Sequence, residues 1–274
     1  MIARLFLKEF KESSFLAKKG VKKIFTLLSS LVLLALFVTL EVLLYINIFD
    51  KVNVYTDFND ALFIIIEFAL FIIGIFSLVP LTYNAFFKNQ KERIILGTTP
   101  ASSFDIIFAK ALNIFFKSLL FVFSTMFPLM VAYGIKSEAD FIFFVLMFFT
   151  FLGVGVLIET FAFLLVIPFR EIRKIVSRYR IISFIVMMIF LILLALLYGG
   201  VLNLFVNLIR NDDIGSLFTV DNVEVMKTIS SFLYPIKNII ELSKVNEVNL
   251  NFVIFISFII FSFVIALFTF NKYL

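Results

Sequence analysis

Six runs of 21 to 29 mostly apolar residues divide this 274-residue chain: Ile24–Phe49, Ala61–Phe87, Ala111–Ile135, Phe141–Phe169, Ile181–Phe205 and Leu250–Phe270. A helix needs about 20 such residues to cross the hydrocarbon of a bilayer. Inside hydrocarbon each backbone N–H and C=O must be paired within the protein, so runs of this length are expected to be helical. A membrane β-barrel would instead show segments of about 10 residues with alternating polarity, and these runs are apolar on every side. Composition agrees, at 62% hydrophobic and 16% charged, against roughly 45–50% and 25% for an average soluble domain. A water-soluble globule is excluded. The expected fold class is an all-α integral membrane protein with six transmembrane helices.

Loop charges set the expected orientation, because cytoplasmic loops collect Lys and Arg. With the N-terminus inside, the inner segments hold 18 basic residues and the outer loops six, while acidic residues run five inside and eleven outside. Both termini are therefore expected in the cytoplasm, in a cell membrane. Residues 1–23 precede the first run. Leu5, Phe6, Phe10 and Leu16 fall near one helical face there, with Arg4, Lys8, Lys11 and Lys18 around it. That pattern suits either an amphipathic helix lying in the inner interface or a plain basic flank that only sets topology. The first apolar run spans 26 residues, more than the roughly 7–15 of a signal-peptide core, so a cleaved leader is not expected. The remainder, 24–274, reads as one six-helix unit.

Missing residue types narrow the chemistry further. The chain has no His and no Cys, which removes zinc-protease motifs, His-based triads, thiolate nucleophiles and disulfides. It also has no G-x-x-x-x-G-K-[ST] run, so it cannot cradle ATP phosphates as a P-loop does. An intramembrane enzyme would need an Asp pair or Ser–Lys machinery. No Asp falls in any expected span, and Lys117 lies near a span end, where a topological role suffices. The chain is expected to be no enzyme, to bind no nucleic acid and to hold no metal.

Between the second and third runs lies Asn84–Lys117. Helical character continues past Lys88 through Lys91, Glu92, Arg93, Ile94, Ile95 and Leu96. Gly97 suits the left-handed position that ends a helix. Thr98, Thr99 and Pro100 then break the chain. Ser102, with Asp105 three residues on, approximates a capping box that opens the next helix. The result is a short helix, a turn and a helix start beneath the membrane.

Taken together, Lys91-Glu92-Arg93, Leu96-Gly97-Thr98-Thr99-Pro100-Ala101-Ser102, Asp105-Ile106 and Ala109-Lys110 resemble the corresponding loop of type-2 ABC-exporter permeases. The order of an amphipathic start, six spans and a long outer loop before the last span is similar as well. In that outer loop, Phe232-Leu233-Tyr234-Pro235 followed by Ile236–Leu242 resembles the Pro-bearing segment of the same family. The resemblance implies that the 88–110 loop is a coupling element docked on a separate ABC ATP-binding subunit, which would carry the ATP and Mg²⁺. Lys91, Glu92, Arg93, Thr98, Thr99, Pro100, Ala101 and Ser102 would form the docking surface. It also implies pairing with a second permease, as a homodimer or heterodimer, and export of a substrate driven by ATP. Two other readings of the residues stay open: a membrane scaffold or sensor that recruits a cytosolic partner, and a secondary transporter.

Three acidic residues fall inside expected spans: Glu41, Glu67 and Glu159. A charge at mid-bilayer costs on the order of 2.5–3.5 kcal/mol on insertion scales, so each should face protein or water. Counting from the span ends puts Glu41 and Glu67 at a similar depth in the outer half, and Glu159 in the inner half. Each is a candidate lining of a substrate pathway or a buried structural carboxyl. Gly153, Gly155, Gly199 and Gly200 are expected to let helices approach closely. Pro80, Pro128 and Pro168 are expected near helix ends. In the outer loop 207–249, Val223, Met226, Ile229 and Leu233 share a helical face, as do Ile236, Ile239 and Ile240 beyond Pro235. Two short amphipathic helices are expected there.

Overall fold

The computed structural model describes residues 21–52, 58–88, 103–179, 184–185, 188, 192, 220–233 and 250–273. These residues are almost entirely helical. In chain order the elements are α1 (Val21–Val52), α2 (Phe58–Tyr83) running into a π-helical turn at Asn84–Lys88, α3 (Ser103–Phe121), a second π-helical turn at Val122–Met126, α4 (Phe127–Lys136), α5 (Phe141–Arg178), α6 (Val220–Phe232) and α7 (Leu250–Tyr273).

Four stretches among the described residues are long and apolar enough to cross a membrane: Leu28–Asp50, Asn59–Phe87, Phe104–Lys136 and Phe141–Val176. They correspond to the first four expected spans and suit a multi-pass membrane protein. The sixth expected span is helical as α7, whose 24 residues reach about 36 Å at the α-helical rise. Its apolar stretch among the described side chains is the shorter Ile256–Phe268. Of the fifth, Phe184, Ile185, Met188 and Ile192 are helical, and the others lie outside the described residues. So does the N-terminal segment apart from Val21–Lys23, which belong to α1.

Helix α5 organises the bundle. Phe143, Met147, Phe151, Val154, Ile158, Ala162 and Val166 follow one another at steps of three or four residues, and all are buried, as one face of an α-helix demands. The helix packs on α2, α3 and α7, while α1 packs mainly on α4. By contrast, α1 turns Leu31, Val32, Leu36, Phe37 and Leu40 outward. In water such a surface would be a liability, and against lipid it is at no disadvantage. Because lipid is as apolar as these side chains, the helices are held by close packing and hydrogen bonds rather than by expulsion of water.

Close packing is visible at Gly155. A Cβ there would lie 2.9 Å from Leu119 Cδ2, so α3 and α5 approach closely here and leave no room for a large side chain. Ser118 Oγ uses the proximity to donate to the Gly155 carbonyl at 3.0 Å. The expected packing role of this glycine holds. Gly74 has the same role unforeseen, since a Cβ there would meet the Phe121 ring at 2.8 Å.

Two prolines differ in how they meet expectation. Pro128 stands in the first turn of α4, directly after the π-helical turn Val122–Met126, as a proline near a helix end should. A proline removes one N–H and crowds the carbonyl four residues back. A π turn relieves that crowding by widening the helix. Ser124 and Thr125 each donate a side-chain hydrogen bond to the Phe121 carbonyl, at 3.0 and 2.8 Å. Pro168 was expected at a helix exit, yet α5 runs ten residues beyond it to Arg178. The basic segment expected as a loop is therefore helical. Glu171 accepts from Lys174 at 2.9 Å one turn on, and cations in a last turn complement the helix dipole.

At the opposite end of the bundle, Tyr133 of α4 donates to Asp60 of α2 at 2.6 Å. Its ring packs on Phe63 with centroids 4.6 Å apart. Lys136 pairs with Asp50 of α1. These contacts tie α1, α2 and α4 together where the 137–140 turn leads into α5. In that turn Glu138 takes a left-handed conformation, φ 51°, and Ala139 N–H donates back to the Gly134 carbonyl at 3.0 Å. That closure of α4 is the kind usually built with glycine.

Candidate functional site

The expected docking residues Lys91, Glu92, Arg93, Thr98, Thr99, Pro100, Ala101 and Ser102 lie outside the described residues. The two ends of that loop are described, and they are tightly fastened. At its entry, α2 ends in the π-helical turn Asn84–Lys88. Lys110 of α3, 5% exposed, donates from Nζ to the Ala85 carbonyl in this turn at 2.6 Å. The altered ladder of a π turn leaves carbonyl oxygen available to such a donor. The same ammonium lies 5.7 Å from the centre of the Phe86 ring.

From the other side, the helical extension of α5 reaches the same turn. Arg170 lies over the Phe87 ring at 4.7 Å and Arg173 over the Tyr83 ring at 4.5 Å. Phe163 and Phe169 meet Phe86 and Tyr83 edge-on, at 5.8 and 5.7 Å between centroids. Cation–π contacts of this kind contribute about 0.5–2 kcal/mol each, depending on exposure. Three rings at the end of α2, Tyr83, Phe86 and Phe87, are thus gripped between α3 and α5 by three cations and the two rings Phe163 and Phe169. In the sequence Lys110 stands only beside Ala109 in the resembled motif, and Arg170 and Arg173 only among the basic residues of the inner segments. The signal that could have found the grip is the Tyr83–x–x–Phe86–Phe87 cluster directly ahead of a basic loop.

Of the three acidic candidates, Glu41 and Glu67 both act electrostatically on Tyr45, one turn after Glu41 on α1. Glu67 is 1% exposed and Glu41 half-buried. Neither Glu67 oxygen has a hydrogen-bond partner among the described residues, and neither does Oε2 of Glu41.

Glu159 stands apart from that pair. It lines a cavity of about 270 Å³ between α3, α5 and α7, to which neither Glu41 nor Glu67 contributes. The residue is fully buried, and both carboxylate oxygens lack a hydrogen-bond partner among the described residues. The cavity wall is otherwise apolar, with Phe108 and Phe115 from α3, Val156 from α5, and Ile259 and Phe263 from α7 among its residues. Among the described residues no group of acidic side chains could hold a metal ion.

Lys110→Met is expected to loosen the loop entry without unfolding the chain. It keeps the stem length and leaves the Ala85 carbonyl without its side-chain donor, which costs about 1–3 kcal/mol for a buried group. Thermal melts in detergent should fall by a few degrees. Limited proteolysis near residue 88 should quicken more than cleavage elsewhere.

Comparison with protein-family models, with curated proteins and with solved structures gives no match for this chain.

Proposed function

We propose that the chain is the transmembrane permease subunit of an ATP-driven type-2 ABC exporter. It lies in the cell membrane with both termini in the cytoplasm and pairs with a second permease. Separate ATP-binding subunits dock on the 88–110 loop through Lys91, Glu92, Arg93 and Thr98–Ser102. The observation that carries this reading is the grip on the end of α2 by Lys110, Arg170 and Arg173. A loop whose entry is fixed to three long helices passes a push at the loop into rigid-body displacement of those helices. A loosely hung loop would absorb the push locally. The motif resemblance of residues 91–110 and the lack of a P-loop in the chain support the same division of labour, with ATP handled by a partner.

The test is copurification in mild detergent with ATP-binding subunits encoded near this gene. Wild type is compared with a Glu92→Lys/Arg93→Glu double variant. Wild type is expected to retain an ATPase, and the variant to lose it while eluting as the same folded species in gel filtration. Should folded wild type retain no ATPase, the exporter reading is wrong, and the scaffold and secondary-transporter readings take its place.

A further inference from the structure

We infer that the cavity between α3, α5 and α7 is a binding site for a small lipophilic amine, its ammonium paired with Glu159 and its apolar body seated among the rings and branched side chains of the wall. Three observations converge on this. The first is the space itself, about 270 Å³. An apolar cavity of about 150 Å³ holds benzene, so by proportion this one takes about eleven non-hydrogen atoms, a ring with a short chain.

The second is the carboxylate. Glu159 is fully buried with both oxygens unpartnered among the described residues. An ionised carboxylate so placed bears a desolvation penalty that an ammonium ion would offset through charge-assisted hydrogen bonds. In the ligand-free packing these oxygens are sealed off. Binding of an amine therefore requires the Glu159 side chain, part of the wall, to turn its carboxylate toward the ligand.

The third is the composition of the wall. Phe108, Phe115 and Phe263 line the cavity beside Glu159, and aromatic faces attract cations that have shed their water. Neutral ligands would gain only the apolar contacts. Anionic ligands would meet the carboxylate with repulsion. An acyl chain of a lipid would use the wall and leave Glu159 as it is. Charge complementarity therefore selects the amine over these. The site makes no use of ATP or of the 88–110 loop, so it does not depend on the exporter reading.

The test uses the purified full-length chain in lipid nanodiscs and isothermal titration calorimetry with three probes of equal length: 4-phenylbutylamine, 4-phenylbutanol and 4-phenylbutyrate. Wild type is expected to bind the amine saturably at one site per chain. The alcohol should bind at least tenfold more weakly, and the acid not at all. Glu159→Gln should bind amine and alcohol alike, with an unchanged gel-filtration profile. Ala111→Phe, which fills the cavity from α3 and leaves Glu159 in place, should abolish binding of both.

Equal binding of amine and alcohol by wild type would mean an apolar pocket of the kind a lipid chain fills, and would overturn the proposal. So would retained amine preference in Glu159→Gln, or no saturable binding by folded wild type. If Glu159→Gln does not fold, the wild-type preference among the three probes and its loss in Ala111→Phe decide the matter. Copurification with an ATPase is unaffected by any of these results.

Discussion

Replacing Gly155 by leucine is expected to separate α3 from α5 and to leave little folded protein in detergent. A single Cβ at this position would already lie 2.9 Å from Leu119 Cδ2 and 3.5 Å from Ser118 Oγ. Alanine can be absorbed, because the nearest atom is the far end of a flexible side chain. It also recovers roughly 1 kcal/mol of helix propensity relative to glycine, so Gly155→Ala should be near neutral. Leucine adds three more carbons into the same seam. Overpacking of a close-packed interior costs about 1–3 kcal/mol, sometimes more, and here the hydrogen bond from Ser118 to the Gly155 carbonyl is pulled apart as well. The loss should be at the upper end of that range or beyond, enough to change the folded population by about a hundredfold. Temperature-dependent gel filtration of the glycine, alanine and leucine forms reads the series directly. A leucine form as stable as wild type would show that α3 and α5 do not touch here.

The second large effect concerns Glu67 and has opposite signs in stability and in activity. Both of its oxygens are buried without a hydrogen-bond partner among the described residues, on a residue that is 1% exposed. Leaving a polar group in that state costs about 1–3 kcal/mol, and an apolar side chain of similar volume removes the cost. Glu67→Leu should therefore melt several degrees above wild type. If Glu67 and Glu41 line the substrate pathway, the same variant should lose substrate-stimulated ATP hydrolysis in the assembled exporter. Proteins keep groups that destabilise them chiefly where function needs them. A variant that melts lower than wild type would mean that Glu67 has a partner in the folded protein. Higher stability with intact transport would assign the residue no part in the pathway.

How far each feature could be read in advance follows the range of the physics behind it. Membrane helices are legible because their cause is local: about 20 consecutive apolar residues, with every backbone hydrogen bond closed inside the segment. The first four expected spans accordingly coincide with the four long apolar helical stretches, and the first expected outer helix appears as Val220–Phe232. Local rules did worse where polar and apolar patterns meet. Arg170–Arg178 falls between the fourth and fifth apolar runs and so reads as an inner loop. A helix satisfies its own backbone whatever its side chains, so α5 ran on through Pro168 to Arg178.

Of the candidate site, the sequence by itself determined which residues are chemically unusual: three carboxylates in apolar runs, the lack of any P-loop run, His or Cys, and a charged loop between the second and third spans. Which of these meet was decided by tertiary structure alone. Spacing along a helix relates residues three or four apart. It says nothing about Lys110 reaching Ala85, 25 positions away, or about α7 closing a cavity over Glu159 from about a hundred residues downstream. Those contacts depend on the rotation and depth of whole helices. In a bilayer these are set by small residues and interhelical hydrogen bonds, such as Gly155 and Ser118, rather than by the apolar surface that the sequence displays so plainly.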